Sequence, residues 1–93
     1  MADAFDFDWD SENTKHLASH KVTPAEFEQV MRNDPVDLDS DVIDGEERYR
    51  SIGIANGDRL LLVVYTLRKG KIRAVTAFPA SASNKKDFLE RSR

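Results

Sequence analysis

The chain has 93 residues, 33% charged and 40% apolar, with no cysteine and a formal net charge of −3. A chain this short buries only about 60% of its unfolded surface, so it reads as a single domain over residues 1–93 with one core. Without cysteine, disulfide frameworks, thiolate zinc sites and cysteine nucleophiles are excluded together, which suits a reducing compartment.

The start, Met1-Ala2-Asp3-Ala4-Phe5-Asp6, is acidic where an export signal is basic and then apolar. Phe5-Asp6-Phe7-Asp8-Trp9 alternates apolar with acidic residues, the pattern of a strand with its aromatics on one buried face. Asp10 or Ser11 then caps a helix running to about Ser19, whose stripe of Asn13, His16, Leu17 and His20 holds one aliphatic anchor. The best-marked helix start follows: Thr23 as N-cap, Pro24 at the first helical position and Glu26 completing a capping box. Phe27, Val30 and Met31 form its apolar stripe, and Asn33-Asp34-Pro35 ends it.

Residues 36–42 alternate again and read as an acidic edge strand, with Asp44-Gly45 as a tight turn. A meander is predicted next: a strand over 48–54, a hairpin turn at Asn56-Gly57, a strand over 59–66, a turn at Lys69-Gly70 and a strand over 71–77. The longest apolar run, Leu60-Leu61-Leu62-Val63-Val64-Tyr65, is apolar on both faces and belongs mid-sheet with cover on each side. It is far below the roughly 18–20 residues of a bilayer span, so a cytoplasmic protein without membrane association is expected. Pro79 stops the last strand, and Ser81 or Ser83 opens a short terminal helix with Phe88 and Leu89. The predicted class is α+β: a small antiparallel sheet, two N-terminal helices packed on one face and a short C-terminal helix.

The modest net charge conceals a polarised chain. Residues 1–47 carry fourteen Asp/Glu against three Lys/Arg, a net of −11; residues 48–93 carry three against eleven, a net of +8. An anionic partner for the basic half, a cationic one for the acidic half, or both would match this asymmetry. Alternation places Arg48 and Arg50 on one face of a strand and Lys71 and Arg73 on one face of another, with Arg59 and Arg68 at the ends of the strand between. Taken as a set, these cations point to anion binding, by a phosphodiester or a partner's carboxylates. Taken singly, each reads as solvated charge partly paired with Asp37, Asp39, Asp41, Glu46 or Glu47.

His16 and His20, four apart, share a helical face. As metal ligands they lack a third partner, and Leu17 stands where a zincin helix needs Glu, so no metal and no cofactor are expected. The packing reading has them flank Leu17 half-buried; the remaining one is acid–base work. Asp37-x-Asp39-x-Asp41 lacks the Gly and Glu of a calcium loop, and neither Ser81 nor Ser83 has an identifiable base.

Several motifs, in order, resemble the BrnT family of toxins from type II toxin–antitoxin pairs. They are Phe7-Asp8-Trp9-Asp10; Asn13-x-x-His16-x-x-x-His20-Lys21-Val22-Thr23; Phe27-x-x-Val30-x-x-Asn33-Asp34-Pro35; Asp44-Gly45-Glu46-Glu47-Arg48-Tyr49; Ile52-Gly53; Gly57-x-Arg59-Leu60-Leu61-x-Val63; and Ile72-Arg73-x-Val75-Thr76-Ala77. The resemblance implies a RelE-like fold, a ribonuclease that needs no metal, RNA as substrate and a BrnA-like antitoxin as partner; a homo-oligomer stays open. It implies a cationic role for Arg48, Arg59 and Arg73, and proton transfer by His16, His20 or Glu47. The chain departs from the family pattern in one segment: Phe78 replaces an arginine, and Asn84 and Phe88 stand where Glu and Tyr are usual. Losing a cation that contacts the reacting phosphate costs about two or more orders of magnitude in rate. Two readings therefore stand: an active endoribonuclease toxin, or a degenerate BrnT-fold module that binds an antitoxin or another protein without cleaving RNA. An unrelated function on the same scaffold is the third.

Overall fold

The computed structural model describes residues 5–91. Its elements are β1 (Phe7–Asp8), α1 (Ser11–Ser19), α2 (Pro24–Arg32), β2 (Val36–Ile43), β3 (Glu46–Ala55), β4 (Arg59–Arg68), β5 (Lys71–Pro79) and α3 (Ala82–Arg91). The class is α+β, as expected. The strands form one open sheet in the order β1-β5-β4-β3-β2. β2 to β5 are an antiparallel meander, and the short β1 joins in parallel, with Phe7 opposite Ile72 and Asp8 opposite Arg73, so the sheet is mixed. Among the described residues no helix is long and apolar enough to cross a membrane.

Local chemistry explains the punctuation. Asp10, not Ser11, caps α1: its carboxylate accepts from the Asn13 backbone N–H while Asn13 Oδ1 accepts from the Asp10 N–H. Thr23 and Glu26 form the second such box, with Pro24 inside the first turn. Two hairpins close on two-residue turns in which both residues have positive φ, Asp44-Gly45 at 52° and 77° and Lys69-Gly70 at 53° and 78°. That geometry follows the right-handed strand twist, and glycine supplies the second position without strain. The Asn56-Gly57 hairpin is one residue longer than a two-residue turn, since Ala55 pairs with Arg59 across residues 56–58.

The core lies between the sheet and the two N-terminal helices. Leu17, Val22, Phe27 and Val30 meet Ala55, Leu61, Val63 and Ala77, all essentially inaccessible. Phe27 is its centre: Phe7 and Trp9 both meet its ring edge-on, at 6.2 and 5.5 Å between centroids. The aromatics of the β1 segment thus share one face, as the alternation predicted. Trp9 Nε1 donates to Glu28 on α2 at 2.7 Å, fixing the aromatic strap. Helix and sheet approach closely at Gly53, where a Cβ would lie 3.0 Å from Val30 Cγ1 and 3.1 Å from Pro35 Cβ. On β4 the expected two-sided cover holds for Leu61, Leu62 and Val63, but Leu60 and Val64 on the second face and Tyr65 on the helical face are only half-buried, because neither cover spans the whole strand.

Phe27→Ala should remove about 3–5 kcal/mol, a large share of the roughly 5–15 kcal/mol typical of a domain. Urea denaturation followed by circular dichroism should show the midpoint collapse, with Trp9 exposed at much lower denaturant.

Candidate functional site

The sheet has a helical face, under α1 and α2, and a second face on which cover is divided. Strand alternation sends Ala55, Gly53 and Ser51 of β3 and Leu61, Val63 and Tyr65 of β4 to the helical face. Arg48, Arg50, Ile52 and Ile54, with Leu60, Leu62, Val64, Thr66 and Arg68, go to the other. There α3 covers the apolar half: Phe88 and Leu89 share a hollow with Ile54 and Leu60, and Ile52 and Leu62 are buried. Arg91 pins the end of α3 by donating to the Asp37 and Leu38 carbonyls, at the bulge in β2.

The polar half is open. A cleft of about 560 Å³ lies there, lined from the sheet by Glu46, Arg48, Thr66, Arg68, Arg73 and Thr76, and from α1 by Glu12, Asn13 and His16. A smaller hollow of about 300 Å³ shares Arg48, Val75 and Thr76 with it and extends to Arg50 and Asp39. A bulge in β5 creates this surface: Val64 faces Thr76 while Tyr65 faces Ala74, so Val75 is the extra residue. Beside the bulge, Asn13 Nδ2 donates to the Ala74 and Asp8 carbonyls, anchoring α1 along the β5 edge.

Charges in the cleft are organised in two ways. Arg73 is only 9% exposed and is held by Asp10 at 2.9 Å and Asp8 at 3.6 Å. The hydrogen bond to Asp10 raises the Arg73 pKa despite burial, and the same bond, with the Asn13 N–H, holds Asp10 below its ordinary 3.8. Arg48 and Arg68 instead share one carboxylate, Glu46, at 3.5 and 2.9 Å. Glu46 is held below the usual range, chiefly by the Arg68 hydrogen bond, and so stays ionised. Arg48 Nε is inaccessible and has no hydrogen-bond partner, the one such buried side-chain atom among the described residues.

The predicted site residues separate. Arg48, Arg73 and His16 meet in the cleft. His20 stands one turn beyond His16, its ring 5.4 Å from that of His16 and 5.9 Å from Phe78. Both histidines are exposed, which corrects the half-buried packing reading: Leu17 alone turns into the core, and the imidazoles flank it on the solvent side. Arg59 lies elsewhere. Odd-numbered β4 positions face the helices, and Arg59 Nη1 donates to the Lys21 carbonyl and to Glu26 Oε2, both at 2.8 Å, tying the α1–α2 link to the sheet. Burial pushes Glu26 up, yet the Arg59 and Thr23 hydrogen bonds outweigh it and hold Glu26 low. Glu47 also faces away from the cleft and accepts from the Tyr49 hydroxyl at 2.7 Å, which raises the Tyr49 pKa.

Glu12, Glu46 and Arg68 complete the cleft. Arg68 belongs to the cation set read as anion-binding and Glu46 to the acids read as pairing with it, but none of the three carries an expected catalytic role, and Glu12 is not singled out by the sequence at all. Alternation from Arg48 leads to Glu46, the residue two before it, and that signal was available in the sequence. Of the three departures, Phe78 lies beside His20, whereas Asn84 Oδ1 accepts from the Ser81 N–H and hydroxyl in the cap of α3. Among the described residues, no three His, Asp or Glu side chains gather as a metal site.

A family model described as the ribonuclease toxin, BrnT, of type II toxin–antitoxin systems matches residues 9–84. No curated protein sequence matches the chain.

Asp10→Asn keeps an N-cap acceptor but removes the charge facing Arg73. The folded-state pKa of Asp10 is lowered, so its contribution is present above the unfolded value and lost as the pH falls through the folded one. The variant should melt below wild type at pH 7, and the two melting curves should converge below about pH 4. Parallel curves from pH 7 to 3 would remove Asp10 from the acid response.

Proposed function

Because the chain belongs to the BrnT family of ribonuclease toxins of type II toxin–antitoxin systems, we propose that its open cleft cleaves RNA without a metal ion. The family implies an antitoxin partner, which we take to be BrnA-like. The same reading takes residues 1–93 as one RelE-like domain acting in the cytoplasm.

The observation that carries it is a pair of arginines on one carboxylate: Arg68 holds Glu46 at 2.9 Å, while the buried Arg48 Nε stands 3.5 Å from the same Glu46 and makes no hydrogen bond. The Arg48 side chain is about a third exposed, at 32%, so its guanidinium can meet a phosphate oxygen from the open side while Nε stays covered, and charge-assisted hydrogen bonds of that kind are the strong ones. The chemistry needs few parts. His16 takes the proton of a ribose 2′-hydroxyl, and the freed oxygen attacks the adjacent phosphorus. Arg48 and Arg68 stabilise the added negative charge on the phosphoryl oxygens. As the bond to the 5′-oxygen breaks, that oxygen takes a proton from water in the open cleft. The products are a 2′,3′-cyclic phosphate and a 5′-hydroxyl. Glu46 is held ionised by its arginines, so it orients them and takes no proton.

The second reading, a module that binds without cleaving, is favoured by Phe78 where the family resemblance places an arginine, and by the carboxylate already beside each arginine of the open face.

Purified protein in EDTA should cut an RNA oligonucleotide to fragments ending in cyclic phosphate, and His16→Ala and Arg48→Ala should each slow this about 100-fold. RNA left intact by wild type would overturn the nuclease reading. Cleavage gained on combining Phe78→Arg, Asn84→Glu and Phe88→Tyr would then establish the degenerate one.

A further inference from the structure

An aromatic row leads out of the arginine cleft. His16 lines the cleft itself, His20 follows at 5.4 Å, and Phe78 follows at 5.9 Å. The three rings are inclined, by 69° and 56°, so they do not stack face to face on one another. Both imidazoles are exposed and Phe78 is half-buried. Phe78 pairs with Leu62 on β4 and so lies on the same sheet face as Arg48 and Arg68. Cations that grip a backbone, continued by ring faces at the level of the neighbouring unit, are the two parts of a single-strand nucleic-acid groove.

We propose that Phe78 and His20 form a nucleobase-stacking platform, which receives an unpaired base next to the phosphate held by Arg48 and Arg68. The proposal rests on the RNA reading of the cleft and adds to it a preference for single-stranded over duplex RNA. A base in a duplex has both faces covered by its neighbours and cannot lie on the rings. Phe78 thereby replaces a phosphate contact, which salt weakens, with a base contact that salt leaves largely untouched.

The test uses the full chain and a fluorescent 12-nucleotide RNA carrying 2′-O-methyl groups, which binds but cannot be cleaved. Wild type should bind this strand at least tenfold more tightly than the same sequence as a duplex. Phe78→Leu keeps the apolar contact with the sheet but has no ring face, and should weaken single-strand binding about tenfold with the salt slope unchanged. Phe78→Trp should retain affinity, and Phe78→Arg should steepen the salt slope by about one. Single abasic substitutions along the strand should identify one position whose loss matches that of Phe78→Leu and adds nothing to it. Phe78→Leu binding within twofold of wild type, while Arg48→Ala loses affinity and flattens the salt slope, would overturn the platform and leave the RNA reading standing. Failure of wild type to bind either form would overturn both.

Discussion

Arg73 is the constraint on which the working surface depends. A guanidinium 9% exposed cannot remain there without carboxylates, because a buried ion that loses its partner is strongly destabilising. Its partners come from two short pieces of chain: Asp8 lies in β1, and Asp10 is the cap of α1. Satisfying Arg73 therefore requires β1 to be laid along β5 and α1 to begin at one place. Asn13, three residues on, then reaches the Ala74 and Asp8 carbonyls, and the helix is fixed in rotation as well as position. Glu12 and His16 arrive at the cleft as a consequence. The packing of Phe7 and Trp9 on Phe27 and the burial of Leu17 hold the two-residue strand and the nine-residue helix to the core, and the Arg73 pairs set where along β5 they lie.

The same logic explains the division of charge along the sequence. The pairs Arg50–Asp39, Arg59–Glu26, Arg68–Glu46 and Arg73–Asp10 each join a base from the second half to an acid from the first. The polarity that suggests external partners is therefore spent in part on internal docking. These pairs are unequal. Arg73 is buried and also hydrogen-bonded, whereas Arg50 and Asp39 are about half exposed, at 50% and 55%, where solvent screening leaves such a pair well below about 1 kcal/mol.

The elements with strong local chemistry were legible: the Thr23–Glu26 capping box, the Asp44-Gly45 and Lys69-Gly70 turns, the Phe27 stripe and the acidic edge strand all stand where residue type alone puts them. At α1, by contrast, residue type leaves the cap open between Asp10 and Ser11 and does not mark its box with Asn13. The site was legible only where simple alternation holds. Arg48 and Arg50 share a face as read, but Arg59 was counted with them because the run from Leu60 to Tyr65, apolar at every position, hides which residues point which way. The bulge at Val75 was invisible, and it matters most: Arg73 and Phe78 are five apart, which in a regular strand puts them on opposite faces. The extra residue brings both to the open face. The parallel pairing of β1 was also beyond local pattern, since it is set by the distant Arg73. His16 and His20 were placed too deep because helical period fixes the face they share but not how far the neighbouring sheet reaches.

The cleft's capacity for an anion follows from counting charges against their fixed partners. Arg73 has Asp10 and Asp8, so its charge is fully spoken for within the fold. Arg48 and Arg68 have Glu46 between them, one carboxylate for two cations, and the longer, poorer contact belongs to Arg48. Around Glu46 one positive charge is in surplus, since Glu12 acts on Arg73 instead, and the buried Arg48 Nε–H at 3.5 Å from Glu46 makes no hydrogen bond. A monoanionic phosphodiester balances that surplus without displacing Glu46, whereas a carboxylate-rich partner would bring more charge than the cleft lacks. The buried pair sets the frame, and the under-compensated pair is left to do the binding. On the proposed reading, Arg48 rather than the more deeply placed Arg73 is the cation left to meet an anion.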